Sequence, residues 1–365
     1  MAPLIALIVA AYERKHLQEQ TKLGRKIRKI YETAINEAAA VAALQQLGVD
    51  GIFDLSRLLL LSQTIDRLAV KLTKDVTILI QNGINDSWIL SNKKNDEIFD
   101  IRIDRSKLPY PERAKFYDTN KEALEQFLAR KTRGLDLSKR IYKQGQQFKI
   151  DLEQTLGEGV ANGKSATKMA SEAKQYLTNP DKLFRRVRDA KGKLKLSAKA
   201  KAFNPGQGVY RSSYKNALRL TGTETNMSYR KADNERYKTA PGVIGYEVHL
   251  SNNHPKVDIC DSLNLVYPVT FVYTSWHPHC RCFVTPVMCS DEEFERYIEA
   301  IGEGRGTSFK FSGQVKDMPE GFTRYVQENA DRINGLKSKP YFIRDNPKQA
   351  GSLLLISNSV PVSAK

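Results

Sequence analysis

Leu58, Leu61, Ile65, Leu68, Leu72, Val76 and Leu79 step by three or four, so they line one face of a long helix that must be buried. Ile27, Tyr31, Ala34, Ala38 and Val41 repeat the spacing, and turn chemistry from Gly48 to Gly51 separates the two stretches, which predicts a helical hairpin. The apolar opening from Pro3 to Ala11 reads as one end of a buried or interface helix. It is about half the roughly 20 residues that span a bilayer, and no basic segment precedes it as a secretory signal requires. From Ser91 to Pro111 the chain turns polar, with Lys93, Lys94, Asn95 and Asp96 followed by Pro109 and Pro111, which predicts a linker or exposed loop.

Helical spacing resumes at Leu124, Phe127 and Leu128, and again at Ile141, Phe148, Leu152 and Leu156. A further helix is expected to start at Ser165, an N-cap residue, and to stop before Asn179-Pro180. After the turn-forming stretch from Asn204 to Gly208, a long polar helix is expected from about Tyr210 to Lys238. Beyond Pro241-Gly242 the period changes. Val243, Tyr246, Val248 and Leu250 alternate with other residues, and Phe271-Val272-Tyr273 and Phe283-Val284-Thr285 are short β-branched and aromatic runs, so a small sheet is expected. Ser290-Asp291-Glu292-Glu293 has the form of a capping box before a helix carrying Phe294, Ile298 and Ile301, and the tail after Gly351 reads as loose or dependent on a partner. The fold class that follows is α+β: a helical N-terminal region, then a small α/β lobe.

Charge changes the picture. The chain of 365 residues carries 58 Lys or Arg against 41 Asp or Glu, a formal +17, which attracts polyanions over long range. Residues 181–240 hold 16 basic and 5 acidic residues, a net of +11. The densest run comprises Lys182, Arg185, Arg186, Arg188, Lys191, Lys193, Lys195, Lys199 and Lys201, a candidate surface for nucleic-acid phosphates, with a solvated charged loop as the plain alternative.

The scarce soft ligands are not spread evenly. Trp276-His277-Pro278-His279-Cys280-Arg281-Cys282 holds two of five histidines and two of four cysteines, and Cys260 lies 20 residues before Cys280. Thiolate sulfur and imidazole nitrogen are the donors of structural zinc sites, so Cys260, His277, Cys280 and Cys282 form a candidate Zn2+ set, with His254, Asp258 and His279 as alternates. Buried apolar cysteines beside surface histidines are the plain alternative. Four cysteines without regular spacing do not make a disulfide framework, and a reducing compartment fits them best. His249 reads as a packing residue, and Cys289 has no histidine near it in sequence. A catalytic zinc would need an open position and a base, for which Glu224, Asp258 or Asp261 could serve, but no HExxH, paired-carboxylate run or phosphate loop accompanies them. Arg219, Thr223, Glu224 and Arg230 sit in an unusually polar helical stretch, which suggests a network tying that helix to the zinc-bearing lobe, or an exposed face with weak i,i+4 pairs.

The succession Leu183-Phe184-Arg185-Arg186-Val187-Arg188-Asp189, Tyr210 to Ala217, Thr223-Glu224-Thr225-Asn226, Tyr229 to Asp233, Asp258-Ile259-Cys260-Asp261 and Trp276 to Cys282 resembles the phage Mu F-like minor head protein family, in the form carried by phages and prophages of Bacteroidetes-type bacteria. The resemblance is strongest from about Ser138 to Met288. It implies a minor capsid component that associates with the portal protein and capsid at the portal vertex and acts in head assembly or DNA packaging. Such a protein is expected in the virion, at the head interior or portal vertex, and in host cytoplasm during assembly. It would have no membrane partner and no established enzymatic activity, and packaged double-stranded DNA is a further candidate partner. Many relatives carry a glycine-containing turn where this chain has residues 263–268, and Asn264 is a residue that tolerates the left-handed conformation. The organisation expected is a helical docking region over 1–90, a linker and short helix over 91–137, a head-morphogenesis domain over 138–301 with the zinc segment at 254–288, and an extension over 302–365. The competing readings are a zinc-dependent nuclease and a non-specific DNA-binding zinc protein.

Overall fold

The structure, a computed structural model, describes residues 2–45, 58–132, 134–179, 187–188, 194–195, 212–251, 257–336 and 338–356. Its elements are α1 (Ala2–Ala43), α2 (Leu59–Asp100), α3 (Tyr110–Tyr117), α4 (Lys121–Ala129), α5 (Leu137–Ala161), α6 (Ala166–Thr178), β1 (Val187–Arg188), β2 (Leu194–Lys195), α7 (Ser213–Thr239), β3 (Val243–His249), α8 (Ile259–Ser262), β4 (Val266–Tyr267), β5 (Phe283–Met288), α9 (Asp291–Gly302) and α10 (Glu320–Glu328), followed by short helical turns to Ile356. This is the expected α+β architecture, long helices and then a small sheet lobe. No described helix is long and apolar enough to cross a membrane.

The chain divides into two compact units, each drawn from several segments. Unit 2 comprises Gln20–Gly83 and Ala129–Gly222, and the apolar faces expected over its first two helices are its core: Ile27, Tyr31, Ala38, Leu61, Ile65, Leu72, Val76 and Phe148 are all at most 2% exposed. The turn expected at Gly48 to Gly51 lies outside the described residues. Asp136 caps α5 by accepting from the Lys139 amide, and Ser165 caps α6 by accepting from the Lys168 amide, satisfying donors that a helix start leaves orphaned. A Cβ at Gly145 would lie 2.1 Å from Thr73 Oγ1, so glycine is what lets α5 approach α2 this closely. Asp151, buried on α5, accepts from both the amide and the hydroxyl of Ser213 and so holds the start of α7. β1 and β2 pair antiparallel.

Unit 1 comprises Met1–Glu19, Ile84–Leu128 and Thr223–Lys365, and its centre is an antiparallel sheet of order β4-β3-β5, with Tyr246 opposite Tyr267 on one side and Pro286 on the other. Pro286 cannot donate to a ladder, and its place on an edge strand leaves the outer side free of that demand. Tyr246, Tyr267, Phe271, Trp276 and Phe322 form an aromatic core with ring centroids 5.0 to 6.3 Å apart in successive pairs. Residues from the extension over 302–365, among them Phe322, Val326, Phe342 and Leu354, pack into the same core. Of the tail after Gly351, the stretch to Ile356 is helical, and the rest lies outside the described residues. Ser290 caps α9 by accepting from the Glu293 amide, the first half of the expected capping box, whereas the Glu293 carboxylate accepts from the Ser312 amide instead.

Two local expectations are corrected. Residues 91–100 are not a linker: α2 runs unbroken to Asp100, and Ser91, Lys94 and Asn95 are buried at 0% exposure. Their polarity serves long-range pairing. Lys94 Nζ lies 2.7 Å from Asp233 Oδ2 on α7, while Ser91 Oγ and Asn95 Nδ2 donate to Asp233 Oδ1 at 2.6 and 2.8 Å. Residues 271–273 are not a strand. Asn346 accepts from the Val272 amide and donates to the Val272 carbonyl, so one side chain stands in for a strand partner and the apolar run records burial alone. Asn264 does not use the left-handed conformation it tolerates: positive φ among described non-glycine residues falls at Asn120 and His279, and the chain beyond Asn264 enters β4.

A second, part-buried pair adjoins the first, where both terminal guanidinium nitrogens of Arg230 contact Glu13 on α1 at 2.5 Å. His16, one turn beyond Glu13, is 1% exposed, stacks on Tyr229 at 4.2 Å and hydrogen-bonds Asn226. Burial first, then the positive charges of Arg230 and Lys94, outweighs Asn226 and Asp233 and pushes the His16 imidazole down to about 3. The unfolded chain, with an ordinary histidine, therefore binds the extra proton over that window. Stability from this residue is present above about pH 6.5 and is lost as pH falls toward 3, at about 1.4 kcal/mol per pH unit. A His16→Phe variant, followed by denaturant unfolding from pH 7 to 5, is expected to show a flatter acid limb than the parent; equal slopes contradict this reading.

Candidate metal centre

Two short pieces of chain build the site. Asp258 begins α8 by accepting from the Cys260 amide while its own amide donates to Asp261, a capping box that holds Cys260 in the first helical turn. The second piece is the loop into β5, where the Cys280 amide donates to the His277 carbonyl and His279 takes φ of 63°. That turn brings His277 and Cys280 toward Cys260 and leaves Cys282 at the threshold of β5. Pro278 fixes the chain between them.

The three cysteines are at most 3% exposed, and their sulfurs lie within 4.8 Å of one another. Cys260 Sγ is 3.8 Å from Cys280 Sγ and 3.2 Å from His277 Nε2. The four residues expected as ligands are thus brought together, and this Cys/His cluster could hold a metal ion. Asp258 also joins: its Oδ2 is 3.2 Å from His277 Nε2 and it forms a second donor group with Cys260 and His277. His279 belongs to neither group, and His254 lies outside the described residues. His249 is a packing residue as expected, stacked 5.0 Å from Phe283 and bonded to Thr285. Cys289 sits elsewhere, beside Arg102.

The surroundings favour a cation. His277 Nδ1 is 2.8 Å from the Pro278 carbonyl, an acceptor only, so a proton on Nδ1 would be held there whenever Nε2 gives its lone pair to an ion beside Cys260. Three thiols this close cannot all ionise by themselves. Hydrogen bonds from Cys260 first and Cys282 next hold the Cys280 thiol well below its usual range, whereas bonding to Cys280 first and Cys282 next pushes the Cys260 thiol up. A divalent ion removes that conflict, because it stabilises every thiolate at once.

Two residues around the cluster are not legible as ligands. Tyr273 is 1% exposed with its hydroxyl 3.5 Å from Cys280 Sγ, and toward a thiolate it can only donate. Asn226 Nδ2 donates to the Cys280 carbonyl at 3.1 Å, fixing the loop to α7. Polarity at Asn226 was the available signal; nothing in sequence points to Tyr273.

Of the other site residues, Arg230 is near enough to act electrostatically on Cys282 and Tyr273. Arg230 pairs with Glu13 and Asp233. Glu224 and Thr223 are buried at 2% and 3%, and Arg219 belongs to unit 2, where it donates to Asn216. Of the basic run, Lys182, Arg185, Arg186, Lys191, Lys193, Lys199 and Lys201 lie outside the described residues, and Arg188 and Lys195 are described in β1 and β2 by their backbone alone. No protein-family model, no curated protein and no solved structure matches this chain.

Proposed function

We propose that this chain is a minor head-morphogenesis protein of a tailed phage, working at the portal vertex during head assembly or DNA packaging, and that its C-terminal lobe is closed by one structural Zn2+. The observation that carries this reading is convergence within unit 1. The segments whose order resembles the Mu F-like family, Thr223-Glu224-Thr225-Asn226, Asp258 to Asp261 and Trp276 to Cys282, meet where Asn226 holds the Cys280 carbonyl and Cys260 faces Cys280. A preference for zinc follows from the donors, since three thiolates and one imidazole suit it better than oxygen-seeking ions. Cys260, His277, Cys280 and Cys282 would hold the ion, which would supply cross-linking of α8 to the β5 loop.

Co-purification from infected cells, with full-length protein and with residues 1 to 85 removed, tests the role. Enrichment of portal or capsid protein by the full chain and its loss on truncation are expected. If neither is enriched and the protein hydrolyses DNA in a metal-dependent way, the nuclease reading replaces this one.

The basic run from Lys182 to Lys201 carries nine Lys or Arg and one acidic residue, so its DNA contacts should be to phosphates and without base preference. Duplex binding is expected to fall steeply with salt, and changing Lys191, Lys193 and Lys195 to Ala should reduce that slope by about 3 at most. Filter binding at two salt concentrations decides; equal binding by both proteins removes the segment from the interface.

A further inference from the structure

Within unit 2, α1 and α2 run antiparallel, as the pairing of Arg67 with Glu37 and the shared lining of Leu68 with Ala34 and Asp75 with Lys26 require. One flank of this pair is covered: Tyr31 packs on Phe148 of α5, and Gly145 of α5 closes on Thr73. Elsewhere the two helices part to leave a cleft of about 470 Å³ with an apolar floor of Ile30, Ala34, Leu68, Leu72 and Leu79, and with Ile78 47% exposed at its mouth. Lining residues run from 26 to 37 on α1, about 17 Å or three helical turns.

The charges on the two lips differ. On α2, Lys71 is engaged by Asp75 at 2.6 Å, and Glu37 on α1 is engaged by Arg67. Lys26 and Lys29, both exposed and one turn apart on α1, make no ion pair among the described residues. An apolar trough of this length, with a positive edge that no described acidic residue pairs, matches the face of an amphipathic helix whose apolar residues recur at i, i+3, i+4 and i+7. Nucleic acid is a poorer match, because a phosphate strand along the trough would also meet Asp75 and Glu37. We propose that the cleft between α1 and α2 is a docking groove for one amphipathic helix of a partner protein, with carboxylates on the flank that faces Lys26 and Lys29. This rests on the docking role above and specifies the partner surface.

The test uses full-length protein and two labelled 20-residue helical peptides that share a leucine seam and differ in carrying Glu or Lys on one flank. In fluorescence anisotropy the Glu peptide is expected to bind saturably and the Lys peptide at least about tenfold more weakly, with the gap narrowing at high salt. Ile78→Glu should weaken the Glu peptide by about tenfold or more, the scale of losing a buried anchor. Lys26→Glu with Lys29→Glu should reverse the preference, and this exposed pair decides the matter should the Ile78 variant fail to fold. No saturable binding of the Glu peptide, equal binding of both peptides, or indifference to the charge reversal overturns the groove. The same variants in the co-purification separate the two claims. If the full chain enriches a head protein and the groove variants enrich it equally, the groove fails and the docking role stands; if the unsubstituted chain enriches none, the docking role fails.

Discussion

Replacing Cys280 with Ser is expected to loosen the sheet lobe by several kcal/mol and to leave the helical unit 2 folded. Cys280 Sγ sits 3.8 Å from Cys260 Sγ and is the cysteine on which three contacts converge, from Cys260, from Tyr273 and, through its carbonyl, from Asn226. A structural zinc contributes on the order of 10 kcal/mol in small peptide systems, so with the proposed ion bound, losing one ligand of four would remove a sizeable part of that. A strong chelator should reproduce the effect in the parent protein and add little in the variant. Hydrogen exchange is the measurement, with amides of β3 and β5 losing protection first. Uniform loss across both units, or no loss, contradicts a site that stabilises this lobe alone. Tyr273→Phe should be milder: without its donated hydrogen bond, metal affinity is expected to fall about 10-fold, up to 100-fold, with little change in fold.

The second large effect is expected at Lys94. This ammonium is 0% exposed and lies 2.7 Å from Asp233, itself 0% exposed, with Glu13 3.9 Å away. Lys94→Met removes one partner and leaves Asp233 buried with Ser91, Asn95 and Arg230, a change of the kind that costs about 3 to 5 kcal/mol. Removing both charges, as Lys94→Met with Asp233→Leu, should cost less than the sum of the single changes, because neither charge is then stranded. Denaturant unfolding of the two singles and the double completes the cycle. Strict additivity would mean that the charges do not sense each other and that the pairing is incidental.

These two sites differ in how far the sequence discloses them. Metal donors of one type must crowd together, so His277, Cys280 and Cys282 announce themselves as a cluster, and Cys260 stands out because so few cysteines exist. Helix ends are legible for a similar reason: Ser165 and Ser290 act on amides three residues away. Lys94 is not legible, because its partner is 139 residues distant, and a polar residue in a helix looks solvated until that partner is known. Ser91, Lys94 and Asn95 do share one helical face, which was the available hint against a linker. Asn346 acts at a distance too, pairing with Val272 74 residues before it and so turning an expected strand into an ordered loop. The contacts of the His277 ring and the hydroxyl of Tyr273 depend on spatial neighbours alone.

Cys260, His277, Cys280 and Cys282 are proposed to hold one zinc ion together. Elemental analysis of full-length protein purified without added metal, alongside the Cys260→Ser and Cys280→Ser variants, tests it most directly. About one equivalent of zinc per chain is expected in the parent, with a marked loss in both variants. Less than about a tenth of an equivalent in a parent protein that is fully folded would contradict it.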